Sequence, residues 1–201
     1  EFQKALHVMN PRLDDGFKAV ADKVEGLYNH WFLAQLSACW TNASDIDLKD
    51  LGSFPGVPQL TNFYVEKVKP ADTRVFVIVS DAMRYEVAAV LADQLRRETQ
   101  SKVTLESRQG VFPTITKFGM AALLPHKELS VQQKPGGQLQ VLVDGQPSEA
   151  GDRDSILKKA NPQSIALKYK DIIDMKRADR AALVKGMEVV YIYHDRIDEA
   201  S

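Results

Sequence analysis

Three stretches of the chain place polar side chains directly beside apolar runs, where α/β proteins commonly carry their ligand-binding groups. The first follows VFVIV at 75–79, the second is the loop FPTIT at 112–116, and the third follows VVYIY at 189–193. The polar residues concerned are Ser80, Asp81, Thr114, Thr116, His194, Asp195 and Asp198. If the two apolar runs are strands of one parallel sheet, all three stretches meet at one edge of that sheet.

These residue types can support metal-assisted phosphoryl hydrolysis. Divalent metals are held by carboxylates and imidazoles that converge from separate loops, and a hydroxyl nucleophile can be activated by such a metal. A helix that begins near Thr116 would also favour an anionic phosphate. Simpler local roles stay open, since Asp81 and the threonines are suited to capping helices and His194-Asp195 to a polar strand exit.

The elements that must position these groups follow an alternating pattern. Apolar runs predict strands at 75–79, 103–107, 139–145 and 187–194, and helical periodicity predicts helices near 82–97, 119–126, 152–160 and 176–185. The continuous run VFVIV is typical of a strand covered on both faces. The pattern therefore predicts an α/β fold with a largely parallel central sheet flanked by helices. Residues 127–151 give the weakest pattern and are compatible with an exposed insertion.

The N-terminal part has a different pattern. Apolar residues recur at helical spacing through 17–40, which predicts an amphipathic helix. The members of this stripe are Phe17, Val20, Val24, Leu27, Trp31 and Leu36. Residues 41–61 are polar and then rich in Gly and Pro, as in a connector. We therefore expect a helical segment and connector at 1–60 and a second part at 61–201. The apolar face is expected to pack on the protein's own sheet, with a partner as the alternative.

Composition excludes several classes of protein. The chain has 201 residues, 44% hydrophobic and 26% charged, with a net charge of -1. This charge gives no general attraction to nucleic acid or membrane, and acids interleave with the basic residues of 153–185. Direct DNA contact is therefore not favoured. The single Cys39 excludes an internal disulfide and fits a reducing compartment, and no apolar run spans a bilayer. A cytoplasmic location is expected.

Three blocks together resemble a known family. VFVIVSDAMRYEVA, FPTITKFGMAALLPH and VVYIYHDRIDEAS, in this order, resemble the PglZ domain of the bacterial phage-defence systems called phage growth limitation and BREX, most closely the type-1 BREX form. The resemblance covers roughly residues 60–201. It implies an alkaline phosphatase-like core and hydrolysis of a phosphate ester with divalent metal ions, zinc or manganese. It also implies other subunits of the defence system as partners. A catalytically silent scaffold for such a complex is the alternative.

The resemblance also assigns roles to individual residues. Asp81 matches a metal-ligand aspartate, and Thr116 matches the nucleophile, which also binds metal. Asp198 resembles the aspartate of an Asp-x-x-x-His metal pair whose histidine would fall at position 202, while His194 and Asp195 are possible auxiliary groups. Met120 departs from related phosphodiesterases, which often have a polar residue there.

The family's later metal ligands have no counterpart in this sequence. The chain also opens on Glu1 and stops shortly after an apolar strand pattern. We therefore expect a fragment with an incomplete core, which alone would be inactive and nearly free of metal.

Overall fold

The computed structural model describes residues 15–50 and 52–200, which form two compact units divided after Gly56. The first unit is helical. Helix α1 is Asp15–Gly26, a π-helical segment follows at Leu27–Phe32, and α2 is Leu33–Asp50. The predicted helix at 17–40 is confirmed. The side chain of Phe17 and the expectations for residues 1–14 lie outside the described residues.

The helix continues further than the sequence pattern indicated. Residues 41–50 were predicted to begin a connector, but they belong to α2. This decapeptide contains no Gly or Pro, and Lys49 pairs with Asp45 one turn earlier, with 2.6 Å between Nζ and Oδ2. Such pairs support a helix weakly. The chain leaves the helix where Gly52 adopts a φ of +65°, which glycine accommodates without strain.

The second unit contains a parallel sheet of three strands. They are β1 (Val75–Ser80), β5 (Ser164–Lys168) and β6 (Val189–His194), in the order β1-β6-β5. Five helices lie between these strands in the chain: α3 (Tyr85–Glu98), α4 (Thr116–Ala122), α5 (Arg153–Ala160), α6 (Tyr169–Ile172) and α7 (Arg177–Leu183). The predicted α/β class, with a parallel central sheet and a preceding helical segment, is confirmed. Strand β5 was not predicted.

Two other segments that were predicted to be strands do not belong to the parallel sheet. Residues 103–107 form no regular strand, and the parallel bridge between Gln59 and Gln109 lies just beyond them. The run at 139–145 is a strand, β3 (Leu139–Val143), but it pairs antiparallel with β2 (Leu129–Gln133) and β4 (Gln146–Pro147) in a separate sheet.

This second sheet corrects the expectation of an exposed insertion at 127–151. Val141 and Val143 are buried in the hydrophobic core. The β3–β4 turn is Asp144-Gly145, whose φ angles of +48° and +78° suit a tight hairpin. Oδ1 of Asp144 accepts the amides of Lys127 and Glu128 at 2.9 and 2.8 Å. These bonds lower the pKa of Asp144.

The core lies on one face of the parallel sheet. Val77, Val189, Tyr191 and Tyr193 share this face and pack with side chains from α4, α5 and β3, and the Tyr191 hydroxyl donates to the Leu123 carbonyl at 2.8 Å. The opposite face of β1 is open, because Phe76 is 51% and Ile78 is 67% exposed. The expectation that VFVIV is covered on both faces is therefore wrong in this structure, where β1 is an edge strand. Within the described ranges, no helix is long and apolar enough to cross a membrane.

Candidate functional site

The carboxyl ends of β1 and β6 bring three polar residues together. Ser80 lies opposite His194 in the parallel register, and its Oγ is 3.2 Å from His194 Nδ1. The amide of Asp81 extends the ladder by donating to the His194 carbonyl at 3.0 Å. All three residues are half-buried. The first and third stretches of polar residues therefore meet at one sheet edge, as the sequence predicts, while their catalytic roles stay predictions.

Asp81 does not cap the helix that follows it. Helix α3 begins at Tyr85, and its N-cap residue is Arg84. Instead, Oδ1 of Asp81 accepts the amide of Ala82 at 3.0 Å in the turn between β1 and α3. Ala82 has a φ of +58°, a left-handed conformation that disfavours residues with a Cβ. The capping interpretation of Asp81 is therefore wrong, which leaves the carboxylate available for another role.

Thr116 is the first residue of α4 and is exposed. The N-cap residue is Ile115, and no side chain caps the helix, so the capping interpretation of the threonines is also wrong. Within the described ranges, no hydrogen bond joins Thr116 to Asp81 or Asp198. Helix α4 is anchored by its buried residues Phe118 and Met120. Met120 therefore serves the core, which explains why this position is apolar.

The segment after β6 holds the remaining predicted residues. Asp195 is half-buried, its Oδ2 is 4.0 Å from Lys170 Nζ, and its carbonyl accepts the amide of Glu199 at 2.9 Å. Asp198 is exposed and begins a 3₁₀ turn, Asp198–Ala200. The Asp195–Lys170 pair contributes little to stability, because exposed ion pairs are screened by water.

The ring of His194 is oriented from two sides. Ser80 approaches its Nδ1, and the ring of Tyr169 meets it edge-on with 4.7 Å between centroids. Tyr169 begins α6 directly after β5. Sequence reasoning missed Tyr169 and Lys170 because it missed β5. The apolar residues of SIALK, just before the Tyr-Lys pair, are compatible with a strand, but a run of five residues is too short for a strand to be assigned with this pattern alone.

A buried aromatic ring and a half-buried cation form a pair just behind the strand ends. The Arg153 guanidinium carbon is 4.5 Å from the centroid of the Tyr193 ring, within the range of a cation–π interaction. Burial raises the pKa of Tyr193 to about 12, with Arg153 opposing the shift. Neither the Tyr193 hydroxyl nor Arg153 Nε has a hydrogen-bond partner among the described residues. The contact ties α5 to the carboxyl end of β6.

The described residues do not by themselves form a metal site. Carboxylate, imidazole and hydroxyl groups are suitable ligands for zinc or manganese. However, no group of three or more His, Cys, Asp or Glu side chains converges in 15–50 or 52–200. Asp81 and His194 are joined by a backbone hydrogen bond, but Thr116 and Asp198 are not joined to them by any contact that the structure shows. The donor types therefore fit a divalent ion, whereas the arrangement does not.

A cavity of about 1150 Å³ lies at the opposite end of the sheet. Its lining includes Val75 and Val189, the first residues of β1 and β6. Basic and acidic side chains are mixed there, with Lys69, Lys159 and Glu188 among them. The cavity is thus distinct from the candidate site, and its mixed charge indicates no single class of ligand.

Comparison with known proteins identifies the family. The model of the BREX system PglZ alkaline phosphatase-like domain matches residues 63–201. The alkaline phosphatase-like protein BrxZ of Escherichia coli O9:H4 (strain HS) is 42% identical over 188 residues, which are 90% of this chain and 21% of that protein. The alkaline phosphatase-like protein PglZ of Bacillus cereus (strain H3081.97) is 36% identical over 188 residues, 92% of this chain and 22% of that protein. The chain thus spans about a fifth of these relatives. No solved structure matches it.

Proposed function

Because this chain belongs to the family of BREX system PglZ alkaline phosphatase-like domains, we propose that it is part of a hydrolase that cleaves a phosphate ester in a bacterial phage-defence system. One observation carries the proposal. Ser80, Asp81 and His194 gather at the carboxyl ends of two neighbouring parallel strands, the edge at which α/β sheets bind their ligands.

Each of the predicted site residues would have its own role in this hydrolysis. Thr116 would be the nucleophile, and Asp81 and Asp198 would hold a divalent ion, zinc or manganese, in an arrangement that brings them closer than the present one. His194 and Asp195 are auxiliary groups of the same site. A divalent ion, when bound, would supply positive charge to neutralise the phosphoryl oxygens.

The proposed reaction has two displacement steps at phosphorus. The Thr116 hydroxyl oxygen attacks and forms an O–P bond while it loses its proton, and the bond from phosphorus to the ester oxygen breaks. The departing oxygen takes up a proton and leaves as an alcohol. Water then attacks the phosphothreonine, releases phosphate and restores the Thr116 hydroxyl.

Thr116→Ala tests this proposal in the natural polypeptide that contains this sequence. We expect hydrolysis of an aryl phosphate ester, assayed with zinc or manganese present, to fall by about a thousandfold or more, because the attacking oxygen is removed. Thr116→Ser keeps a hydroxyl and should retain substantial activity. Thr114→Ala is the matched control, since it removes the same atoms from the same loop. Full activity in Thr116→Ala would refute the assignment of the nucleophile.

A scaffold role is the second candidate, and the helical first unit favours it. Large apolar side chains of α1, the π-helical segment and α2 are 46–63% exposed. They are Val20, Leu27, Trp31, Phe32, Leu36 and Trp40. Exposed apolar patches of this kind mark interaction surfaces. The proposed partner is another subunit of the same defence system.

The scaffold role is tested by co-purification with the other subunits. The double variant Leu27→Glu/Trp31→Glu places two charges on the apolar stripe and should abolish co-purification. Thr116→Ala should leave co-purification intact, since it alters only the proposed nucleophile. Binding that survives the double variant would argue against this surface.

A further inference from the structure

The loop that leads to Thr116 begins at a point where the backbone is tied to an earlier part of the chain. The Leu60 amide donates to the Gln109 carbonyl at 2.9 Å, and the Gln109 amide donates to the Pro58 carbonyl at 2.8 Å. These two bonds form a parallel bridge. Residues 110–115 lead from this bridge to the first residue of α4, so the bridge fixes the place where the loop starts.

Arg108 holds the same place with its side chain. Its Nη2 lies 2.7 Å from Glu66 Oε2, and its Nη1 donates to the Gln59 carbonyl at 3.1 Å. The guanidinium carbon lies 6.0 Å from the centroid of the Phe63 ring. We call Arg108 with these three partners the Arg108 clamp. The Arg108 side chain is 11% exposed, and charge-assisted bonds of a buried guanidinium are stronger than those of exposed ion pairs.

The partners of Arg108 are themselves fixed by the hydrophobic core. Glu66 lies on a π-helical segment, Tyr64–Val68, whose end residues Tyr64 and Val68 are buried. Phe63 precedes this segment and packs against the core. The Arg108 clamp therefore ties the start of the loop to the core of the second unit.

The loop depends on its two ends for a fixed position. Val111 packs against the core, but the side chains of Phe112 and Ile115 are 60% and 52% exposed. The far end of the loop is held by the buried side chains of α4. Thr116 thus lies where a partly exposed loop meets an anchored helix, and the Arg108 clamp is the side-chain anchor at the other end of that loop.

We propose that Arg108 is a positioning residue that orients the Thr116 hydroxyl for attack on phosphorus. This role rests on the proposed function, because it concerns the same nucleophile. Attack requires the oxygen at about 3–3.5 Å from phosphorus and in line with the bond that breaks. With the clamp intact, both ends of the loop are fixed and the hydroxyl samples few orientations. Alignment acts on the transition state, so the clamp controls kcat rather than KM.

Arg108→Gln in the natural polypeptide that contains this sequence tests the positioning role. We expect kcat for an aryl phosphate ester to fall by about tenfold or more, with KM within about twofold of the wild-type value. Lys67→Gln is the matched control. Lys67 pairs with Glu106 at 2.6 Å and joins the same two parts of the chain, but both side chains are exposed, at 42% and 47%. A wild-type kcat in Arg108→Gln, or an equal fall in both variants, would overturn the proposal.

Residue-resolved hydrogen exchange tests the clamp without an activity assay. The amides of Leu60 and Gln109 form the bridge, and we expect both to exchange about tenfold or more faster in Arg108→Gln. They should exchange at the wild-type rate in Lys67→Gln. The Val75 amide, which bonds to the Glu188 carbonyl in the parallel sheet, is the internal control. Unchanged exchange at the bridge would overturn the clamp.

Arg108→Lys is a second variant, which answers the same question if Arg108→Gln does not fold. Lysine keeps the positive charge but lacks the planar group that donates to two acceptors at once. We therefore expect faster exchange at the bridge and a lower kcat in this variant also. Wild-type exchange and kcat in Arg108→Lys would overturn the proposal.

Failure of the positioning role can be distinguished from failure of the proposed function. If Thr116→Ala remains fully active, the assignment of the nucleophile fails, and the exchange rates at the bridge still decide whether Arg108 fixes the start of the loop. If Thr116→Ala is inactive and Arg108→Gln keeps the wild-type kcat, the nucleophile is supported and the positioning role is refuted.

Discussion

His194 and Asp81 owe their positions to different interactions. His194 ends a central strand, where Ser80 and Tyr169 fix its ring from two sides. Asp81 lies one residue past the edge strand, and among the described residues its carboxylate has one hydrogen bond, from the adjacent amide of Ala82. The imidazole is therefore preorganised, whereas the carboxylate keeps freedom to reorient. A fixed orientation of this kind benefits a residue that binds a metal ion or transfers a proton.

Ser80→Ala should show how much the orientation of His194 matters. If His194 serves the proposed site, removing the hydroxyl should lower kcat/KM for an aryl phosphate ester by about tenfold, the usual effect of one hydrogen bond. Ser130→Ala on β2 makes the same change far along the chain and is the control. Equal activity of both variants and the wild type would show that the Ser80–His194 contact is dispensable.

Buried tyrosines should govern the response of stability to alkaline pH. Burial raises the pKa of Tyr193 from 10.0 to about 12, and it also raises that of Tyr191. As the pH rises, the unfolded chain loses the proton of the tyrosine hydroxyl before the folded protein does. The contribution of the buried tyrosine to the free energy of unfolding is therefore fully present below pH 10 and is lost as the pH rises through 12. Tyr193 contributes on the order of 2 kcal/mol to the free energy of unfolding that is lost in this pH range.

The contribution of Tyr193 to the pH dependence of the free energy of unfolding can be measured by urea unfolding between pH 8 and 12. Tyr193→Phe should flatten the decline, and at pH 8 it should cost little, because its hydroxyl has no partner among the described residues. Tyr28→Phe is the control, since that ring is 44% exposed. An unchanged pH profile in Tyr193→Phe would contradict the burial argument.

At the scale of elements, the turn from β1 to α3 is the most constrained connection near the site. Ala82 has a positive φ there, and the residue lies between the candidate aspartate and the helix. Strained backbone of this kind often lies at functional sites, where it fixes a side chain. The turn thus sets the direction in which α3 leaves the sheet edge.

Substitutions at Ala82 should reveal this constraint. Ala82→Val should lower the free energy of unfolding by about 1–2 kcal/mol, because a β-branched residue resists the left-handed region. Ala82→Gly should leave it unchanged or slightly raised, because glycine relieves the strain but is freer when unfolded. Denaturant unfolding measures both. Ala88→Val within α3 controls for the added volume, and an equal loss in the two valine variants would argue against strain.

At the scale of the whole molecule, the hydrophobic core belongs to the second unit. Every residue of the core cluster lies at position 63 or later, from Phe63 to Tyr193. In the first unit, Ala21 and Ser44 are the buried residues among the side chains described. The two units therefore differ in how they are stabilised: the second has a core, and the first is a helix with an exposed apolar stripe.

Residues 57–201 should consequently fold without residues 1–56. We expect the shorter chain to keep its far-ultraviolet circular dichroism, apart from the lost helices, and to unfold in one cooperative transition. Residues 1–56 alone should show helix content that changes gradually with temperature, since an isolated helix melts with little cooperativity. Aggregation or non-cooperative unfolding of 57–201 would show that the first unit completes the core.

The amino-acid sequence by itself determined the type of most elements and the family. The apolar runs at 75–79 and 189–193 are strands, and the helical periodicities at 82–97 and 152–160 are helices, because side-chain pattern and backbone propensity act over a few residues. The same signals failed at 103–107, where a strand-like sequence forms no hydrogen-bonded ladder. They also failed at 164–168, where the strand is too short for its pattern to be recognised.

Only the tertiary structure decided which of these elements meet. The last strand, β6, lies between β1 and β5, and this brings Ser80 to His194 across 114 residues of chain. It also showed that Asp81 and Thr116 are not helix caps and that Arg153 lies on Tyr193. Ladder hydrogen bonds and ring contacts join residues distant in sequence, so no local pattern contains them. For this reason, the sequence could nominate residues for the candidate site, whose roles stay predictions, but it could not identify the neighbours that position them.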